Sequence, residues 1–298
     1  MASRWSSYRR EGLGGSLLVI AIGLLTLGLF VLALMATPRV EASSRHSHDN
    51  WDDEDDRTVH GRSFHWDGHL GRGRTLEIHG INGSIEVEGT RSGDVVVDAE
   101  KRAHKSDPED VKIRVEQTED GIRICALYPR KDGGLNDDCE SQQVSNNDVQ
   151  VTYHVKVPAG VNLAAHTVNG KVEIDDLQGN VEAATVNGSI DLSTTGLATA
   201  RTVNGSIHAV MGDGDWEDGL EFRTVNGSID LTMPRDVDAD VAARSMNGHI
   251  VSDFPITASG RITSRRLMGS IGNGGPKLRM ETINGGIELH SSGRKSGF

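Results

Sequence analysis

The hexapeptide Thr-Val-Asn-Gly-Ser-Ile occurs three times unchanged, at residues 185–190, 202–207 and 224–229. Looser copies surround Asn169, Asn247 and Asn284; an outlying early copy contains Asn82, and a degenerate one, Met268-Gly269, has lost the asparagine. From Gly170 onward the corresponding glycines stand 16 to 22 residues apart. A period near 20 is the signature of a solenoid, in which each repeat is one supersecondary unit that buries its apolar face only against its neighbours.

Aligning the copies on the asparagine exposes columns. Three residues after it stand Ile85, Val172, Ile190, Ile207, Ile229, Ile250, Ile271 and Ile287, all β-branched, as a half-buried strand requires. Four before it the residue is small in Ala165, Ala183, Ala200 and Ala243, and two before it is usually threonine. Asn and Gly both tolerate positive φ, so the pair reads as a tight corner between two short strands. Stacked corners would let Asn169, Asn187, Asn204, Asn226, Asn247 and Asn284 hydrogen-bond as a ladder. An antiparallel meander of Asn-Gly hairpins is the rival arrangement. It has no use for the same residue at the same offset in every unit, whereas coils stacked in parallel about 4.8 Å apart reward it. The four Asn-Gly-Ser sequons at Asn82, Asn187, Asn204 and Asn226 follow from the same columns.

Residues 74–160 also alternate apolar and polar positions, in stretches such as TLEIHG, DVVVDAEKR and DVQVTYHVKVP, which is the pattern of strands. The expected body is therefore all-β: a parallel single-stranded β-helix over 161–290, closed at one end by a β-rich cap over 74–160, with a tail at 291–298. Aromatic residues make up only 4% of the chain against 36 glycines, which suits a thin aliphatic interior.

Residues 13–36, LGGSLLVIAIGLLTLGLFVLALMA, carry no charge and are long enough to cross a bilayer as one helix. Arg4, Arg9 and Arg10 precede them, so residues 1–12 are expected in the cytoplasm and the body outside. A cleaved signal peptide, cut near Val40-Glu41-Ala42, is the alternative, although its apolar region would be shorter. The segment 37–73 includes HDNWDDEDD, six acids in nine residues, and reads as an extended, self-repelling linker. Its histidines, His46, His48, His60, His65 and His69, could hold a transition metal loosely. In an oxidising exterior Cys125 and Cys139 would pair and close the loop between them.

These residues carry a resemblance. Repeated T-V-N-G-S-I behind an apolar segment resembles a bacterial family whose members are taken to be adhesins, long classed as a domain of unknown function. It is similar to the group in which T-x-N-G-x-I/V coils build a single-stranded β-helix, and to adhesin-head domains with G-I-N repeats. GINGSI at 80–85 and TINGGI at 282–287 come close to that pattern. The resemblance covers residues 74 to 290, implies the solenoid and a surface-binding role, and carries over no catalytic residue.

Two candidate sites lie on the repeats. Arg201, Arg223, Arg244 and Arg265 each stand three residues before the asparagine position; stacked in adjacent coils they would form a stripe for a polyanion such as an acidic surface glycan. The alternative is neutralisation by Glu173, Asp191 and Asp230. In GDGDWEDG, 212–219, a loop expected to bulge outward, Asp213, Asp215 and Glu217 alternate like the start of a calcium loop. No cofactor is expected. The formal charge of −12 argues against nucleic acid as a partner, and no nucleophile motif such as G-x-S-x-G is present. The expected role is a non-catalytic, membrane-held extracytoplasmic scaffold or adhesin binding a glycan or an envelope protein. Rival roles are an envelope-stress sensor acting through a membrane partner, and a polysaccharide-degrading β-helix enzyme.

Overall fold

Alternation of apolar and polar residues becomes strand throughout the computed structural model, which describes residues 59–293 apart from 92, 137, 138, 140–143, 145, 215, 260 and 261. Eight strands come before residue 160: β1 (Val59–His60), β2 (Phe64–Gly68), β3 (Thr75–His79), β4 (Ile85–Thr90), β5 (Val95–Ala103), β6 (Lys112–Gln117), β7 (Gly121–Leu127) and β8 (Gln150–Pro158). The central repeats supply β9 (Asn162–His166), β10 (Val172–Leu177), β11 (Val181–Ala184), β12 (Ile190–Thr194), β13 (Ala198–Arg201), β14 (Ile207–Met211), β15 (Leu220–Asn226) and β16 (Ile229–Met233). The last six are β17 (Ala239–Asn247), β18 (Ile250–Ser252), β19 (Ile256–Ala258), β20 (Arg266–Ile271), β21 (Lys277–Asn284) and β22 (Ile287–Ser291).

The strands form two sheets. Sheet I runs β1-β5-β8-β4-β10-β12-β14-β16-β22-β18, with β2 also on β5; sheet II runs β19-β20-β17-β21-β15-β13-β11-β9-β3-β7-β6. Each repeat gives one strand to sheet II, turns at its Asn-Gly corner, and gives the next strand to sheet I. Successive repeats pair in parallel and in register: Ile190 faces Ile207, and Ile207 faces Ile229. The fold is thus the all-β solenoid that the repeat period implies. Antiparallel pairing closes both sheets at the cap end, through β5 and β6, and sheet II at the far end, through β20 and β19; sheet I ends there in the three-residue strand β18, parallel to β22, and short or antiparallel edges of this kind limit open-ended association.

The core lies between the sheets. Ile85, Val172, Ile190, Ile207, Ile229 and Ile287 are fully buried, each over its own equivalent. The column four before the asparagine is small in the middle of the stack, at Ala165, Ala183 and Ala200, larger at Ile78 on one side and at Phe222 and Met280 on the other, and small again at Ala243.

Spatial order departs from chain order in two places. The repeat of β3 and β4 sits inside the stack, between the β7–β8 level and the β9–β10 level. The boundary expected at residue 160 is therefore not a structural one: Asn82 bridges directly to Asn169. The last repeat, β21–β22, lies between β15–β16 and β17–β18, so Asn284 precedes Asn247 in the stack. Met268-Gly269 is not a repeat corner, because β20 runs antiparallel to β17 and Gly269 faces Val241.

The apolar segment 13–36, the residues 1–12 before it and most of the acidic linker, His46 and His48 included, lie outside the described residues. No helix among the described residues is long and apolar enough to cross a membrane.

Candidate interaction surface

The corner is the most repeated feature. Seven asparagines form one row: Asn169 donates to Asn82 (2.9 Å), Asn187 to Asn169 (2.8 Å), Asn204 to Asn187 (2.8 Å), Asn226 to Asn204 (2.8 Å), Asn284 to Asn226 (2.7 Å) and Asn247 to Asn284 (2.9 Å). Beneath the row, buried threonine hydroxyls donate to the glycine carbonyl one level away: Thr185 to Gly170 at 3.0 Å, Thr202 to Gly188 at 2.9 Å. The reason for glycine common to the corners is close approach; positive φ occurs only at Gly83 and Gly285 among them. No corner asparagine has positive φ, while a Cβ on Gly188 would lie 1.9 Å from the Gly170 carbonyl oxygen.

Sheet II presents an outward row made of the residues three before each asparagine. It reads His79, His166, Ala184, Arg201, Arg223, Glu281, Arg244, and is continued by Arg266 on the reversed strand β20. The expected arginine stripe is thus broken in three ways. Arg201 is held by Glu221 at 2.7 Å and faces Glu182 at 4.0 Å; Arg223 is held by Glu221 at 3.0 Å and faces Glu281 at 3.6 Å. Glu281 separates Arg223 from Arg244 because the last repeat is inserted there. Arg265 lies off the row, in the turn before β20, and the reversal of that strand puts Arg266 opposite Arg244. The carboxylates expected to neutralise the stripe, Glu173, Asp191 and Asp230, belong to sheet I.

Near the other end of the row, Arg123 pairs with Glu77 at 2.6 Å, and His79 approaches Glu77 at 3.7 Å. Hydrogen bonding to His79 and then Arg123 holds the Glu77 carboxyl down at about 2. The ring of His166 lies 5.1 Å from that of His79; burial, reinforced by His79, lowers its pKa to about 3. The row is a laced structural network along most of its length. It changes at the far end, where Arg244 and Arg266 are exposed beside Met246, Met268 and Ile283, themselves 49%, 39% and 39% exposed.

Sheet I is acidic on its outer face. Lys171 clamps Glu173 and Asp191, both at 2.7 Å. Glu88, Asp175 and Asp176 are exposed, and Glu88 and Asp175 are register partners. Partial burial and the nearby charges of Glu173 and Asp176 raise the Asp175 pKa. At the far end, His290 Nδ1 lies 3.1 Å from Asp253, and its Nε2 faces Glu288 at 3.4 Å and Asp230 at 3.6 Å. At the cap end, His65 meets Asp98 at 2.6 Å and His69 meets Asp94 at 3.1 Å. Both histidines fall in the stretch expected to be a linker, but β2 pairs with β5 and belongs to the body.

Cys125 and Cys139 form a disulfide with 5.5 Å between Cα atoms, and Leu127 is buried with them in a small cluster apart from the main core. The 212–219 stretch differs from expectation. Trp216 is buried, and its Nε1 donates to the Thr195 carbonyl at 3.3 Å, so the return turn is drawn inward. Asp213 and Glu217 are exposed, and Asp215 lies outside the described residues. Among the described residues no group of three or more His, Cys, Asp and Glu side chains is placed to hold a metal ion.

The family model described as Toastrack DUF4097 matches residues 138–290, just over half of the chain, and the chain belongs to that family. None of the curated proteins matches it. Among solved structures, it is similar to a candidate cell adhesion protein from Clostridium sporogenes (11% identity, 78% of this chain and 99% of that one, TM-score 0.49). It is also similar to a candidate adhesin from Bacteroides fragilis (14% identity, 76% and 97%, TM-score 0.34), and to one from Parabacteroides merdae (9% identity, 77% and 96%, TM-score 0.24).

Proposed function

We propose that this chain is a non-catalytic extracytoplasmic scaffold or adhesin, held at the bacterial membrane by residues 13–36, whose solenoid offers a rigid face to a surface glycan or an envelope protein. The observation that carries this reading is the stack itself. Seven levels locked by a continuous asparagine row make an extended surface with little freedom to deform, the arrangement that repeat proteins use for binding. The Cys125–Cys139 disulfide suits an oxidising compartment, and the uncharged 13–36 segment suits a single membrane crossing.

The test is topology in the native cell type. The full chain should sediment with membranes after a carbonate wash, whereas a chain lacking 13–36 should not. Protease added to spheroplasts should digest the body while a cytoplasmic marker survives. A body protected together with that marker would overturn the reading.

A further inference from the structure

The two outer faces are unlike at one place each. At the far end of sheet II, neighbouring strands β21, β17 and β20 set Arg279, Ala242 and Met268 in one row and Glu281, Arg244 and Arg266 in the next. Ile283 and Met246 follow on β21 and β17, one residue before their asparagines. Glu281 pairs with Arg279 at 2.9 Å; the arginines and methionines that remain, Arg244, Arg266, Met246 and Met268, are the composition of a protein contact rather than of a solvated face. Aromatic platforms, which a glycan would favour, are absent from this patch.

The complement lies on the same chain. Glu88, Asp175 and Asp176 on sheet I are exposed; Lys171 is already taken by Glu173 and Asp191, and the one further cation in register is Lys156, beside Glu88 on β8, which leaves the patch net acidic. Two levels from Asp175, about 10 Å along the stack, Val210 is the most exposed large apolar residue described, at 51%. The two patches occupy opposite outer faces and are four levels apart along sheet I, from β10 to β22. They cannot meet within one molecule.

We infer that the Arg244–Arg266–Met246–Met268 patch of one molecule docks on the Glu88–Asp175–Asp176 patch of a second copy of this chain. The contact is head-to-side, so it leaves one unused patch of each kind and propagates into open chains rather than closing as a dimer. This inference rests on the scaffold reading and names its partner.

Sedimentation of the full chain in non-ionic detergent tests it. At low salt the average mass should rise with concentration past two copies, and it should fall when salt screens the contact. Arg244→Glu/Arg266→Glu leaves two acidic patches, and Glu88→Arg/Asp175→Arg leaves two basic ones. Each variant alone should associate at least about tenfold more weakly, since like charges face each other. Mixing the two variants should restore association, which also shows that both are folded. Wild-type chains that stay monomeric at low salt, variants that associate as wild type does, or a mixture that stays monomeric would each overturn the inference. Monomers that instead bind polyglutamate or an acidic glycan through Arg244 and Arg266 would overturn it in favour of a different partner. A cytoplasmic body in the topology assay would remove the scaffold reading while leaving this association to be measured.

Discussion

The central levels, β9 to β16, and the far end, β17 to β22, use the same corner and reach different results. In the centre, chain order and spatial order agree, every column residue sits over its equivalent, and outward arginines are laced to Glu182, Glu221 and Glu281. At the far end the last repeat is threaded between two earlier ones, β20 reverses direction, and Arg244 and Met246 are left exposed. The difference teaches that the repeat specifies a level but not its neighbour. The asparagine ladder continues through every one of these interfaces, and a hydroxyl–glycine hydrogen bond accompanies it, from threonine in the centre and from Ser245 to Gly285 at the far end.

The largest contrast is expected in the core. Ile207→Ala, at a fully buried central site, should cost about 4 kcal/mol in a urea titration, whereas Ile250→Ala, on the half-buried last strand of sheet I, should cost about 1.5 kcal/mol. Equal costs would show that the end is packed as firmly as the middle. Next comes close approach: Gly188→Ala, whose Cβ would meet the Gly170 carbonyl at 1.9 Å, should cost about 3 kcal/mol. Gly286→Ala, whose nearest contact is 3.6 Å away, should stay within about 0.5 kcal/mol. Thr202→Val removes one buried hydroxyl that bonds to Gly188 and should cost about 1.5 kcal/mol.

The smallest effect concerns pH. Lys171, between Glu173 and Asp191, has its pKa raised further above 10.5 by hydrogen bonds to Asp191 and then Glu173, so the central clamp does not titrate near neutrality. His290 occupies the comparable place at the far end, facing Asp253, Glu288 and Asp230. Its pKa is raised above 6.5, chiefly by the hydrogen bond to Asp253. A histidine with a raised folded-state pKa contributes stability that is fully present below its unfolded value and is lost as pH rises through the folded one. Thermal midpoints of the full chain should therefore fall as pH rises from 6 through that value, and His290→Gln should flatten the fall. An unchanged slope in the variant would remove the clamp from the far end.

Legibility in the sequence followed physical range. The corner, the inward isoleucine column and the asparagine row depend on one residue type meeting its own copy, and such self-matching is written as repetition. The arginine stripe at Arg201, Arg223, Arg244 and Arg265 was read on the assumption that neighbours in sequence are neighbours in the stack. That assumption failed at Glu281, which is distant from Arg223 in sequence and adjacent to it in space. Trp216 was legible only as part of an acidic loop, because its burial depends on a carbonyl at Thr195 from the preceding level. The exposed Met246, Met268 and Ile283 carried a weak signal: the residue before the asparagine is Val in the central copies but larger in the last ones.

By itself the amino-acid sequence determined the unit, a pair of short strands around an Asn-Gly corner, and the stacking of that unit in register, since only parallel stacking satisfies identical columns. The tertiary structure alone decided the order of the levels, the antiparallel ends, the partners of each arginine and the exposure of two patches of opposite charge on opposite faces. The corner and its asparagine recur from level to level, so the repeated letters do not say which level follows which; that order appears only in the strand pairing of the folded chain.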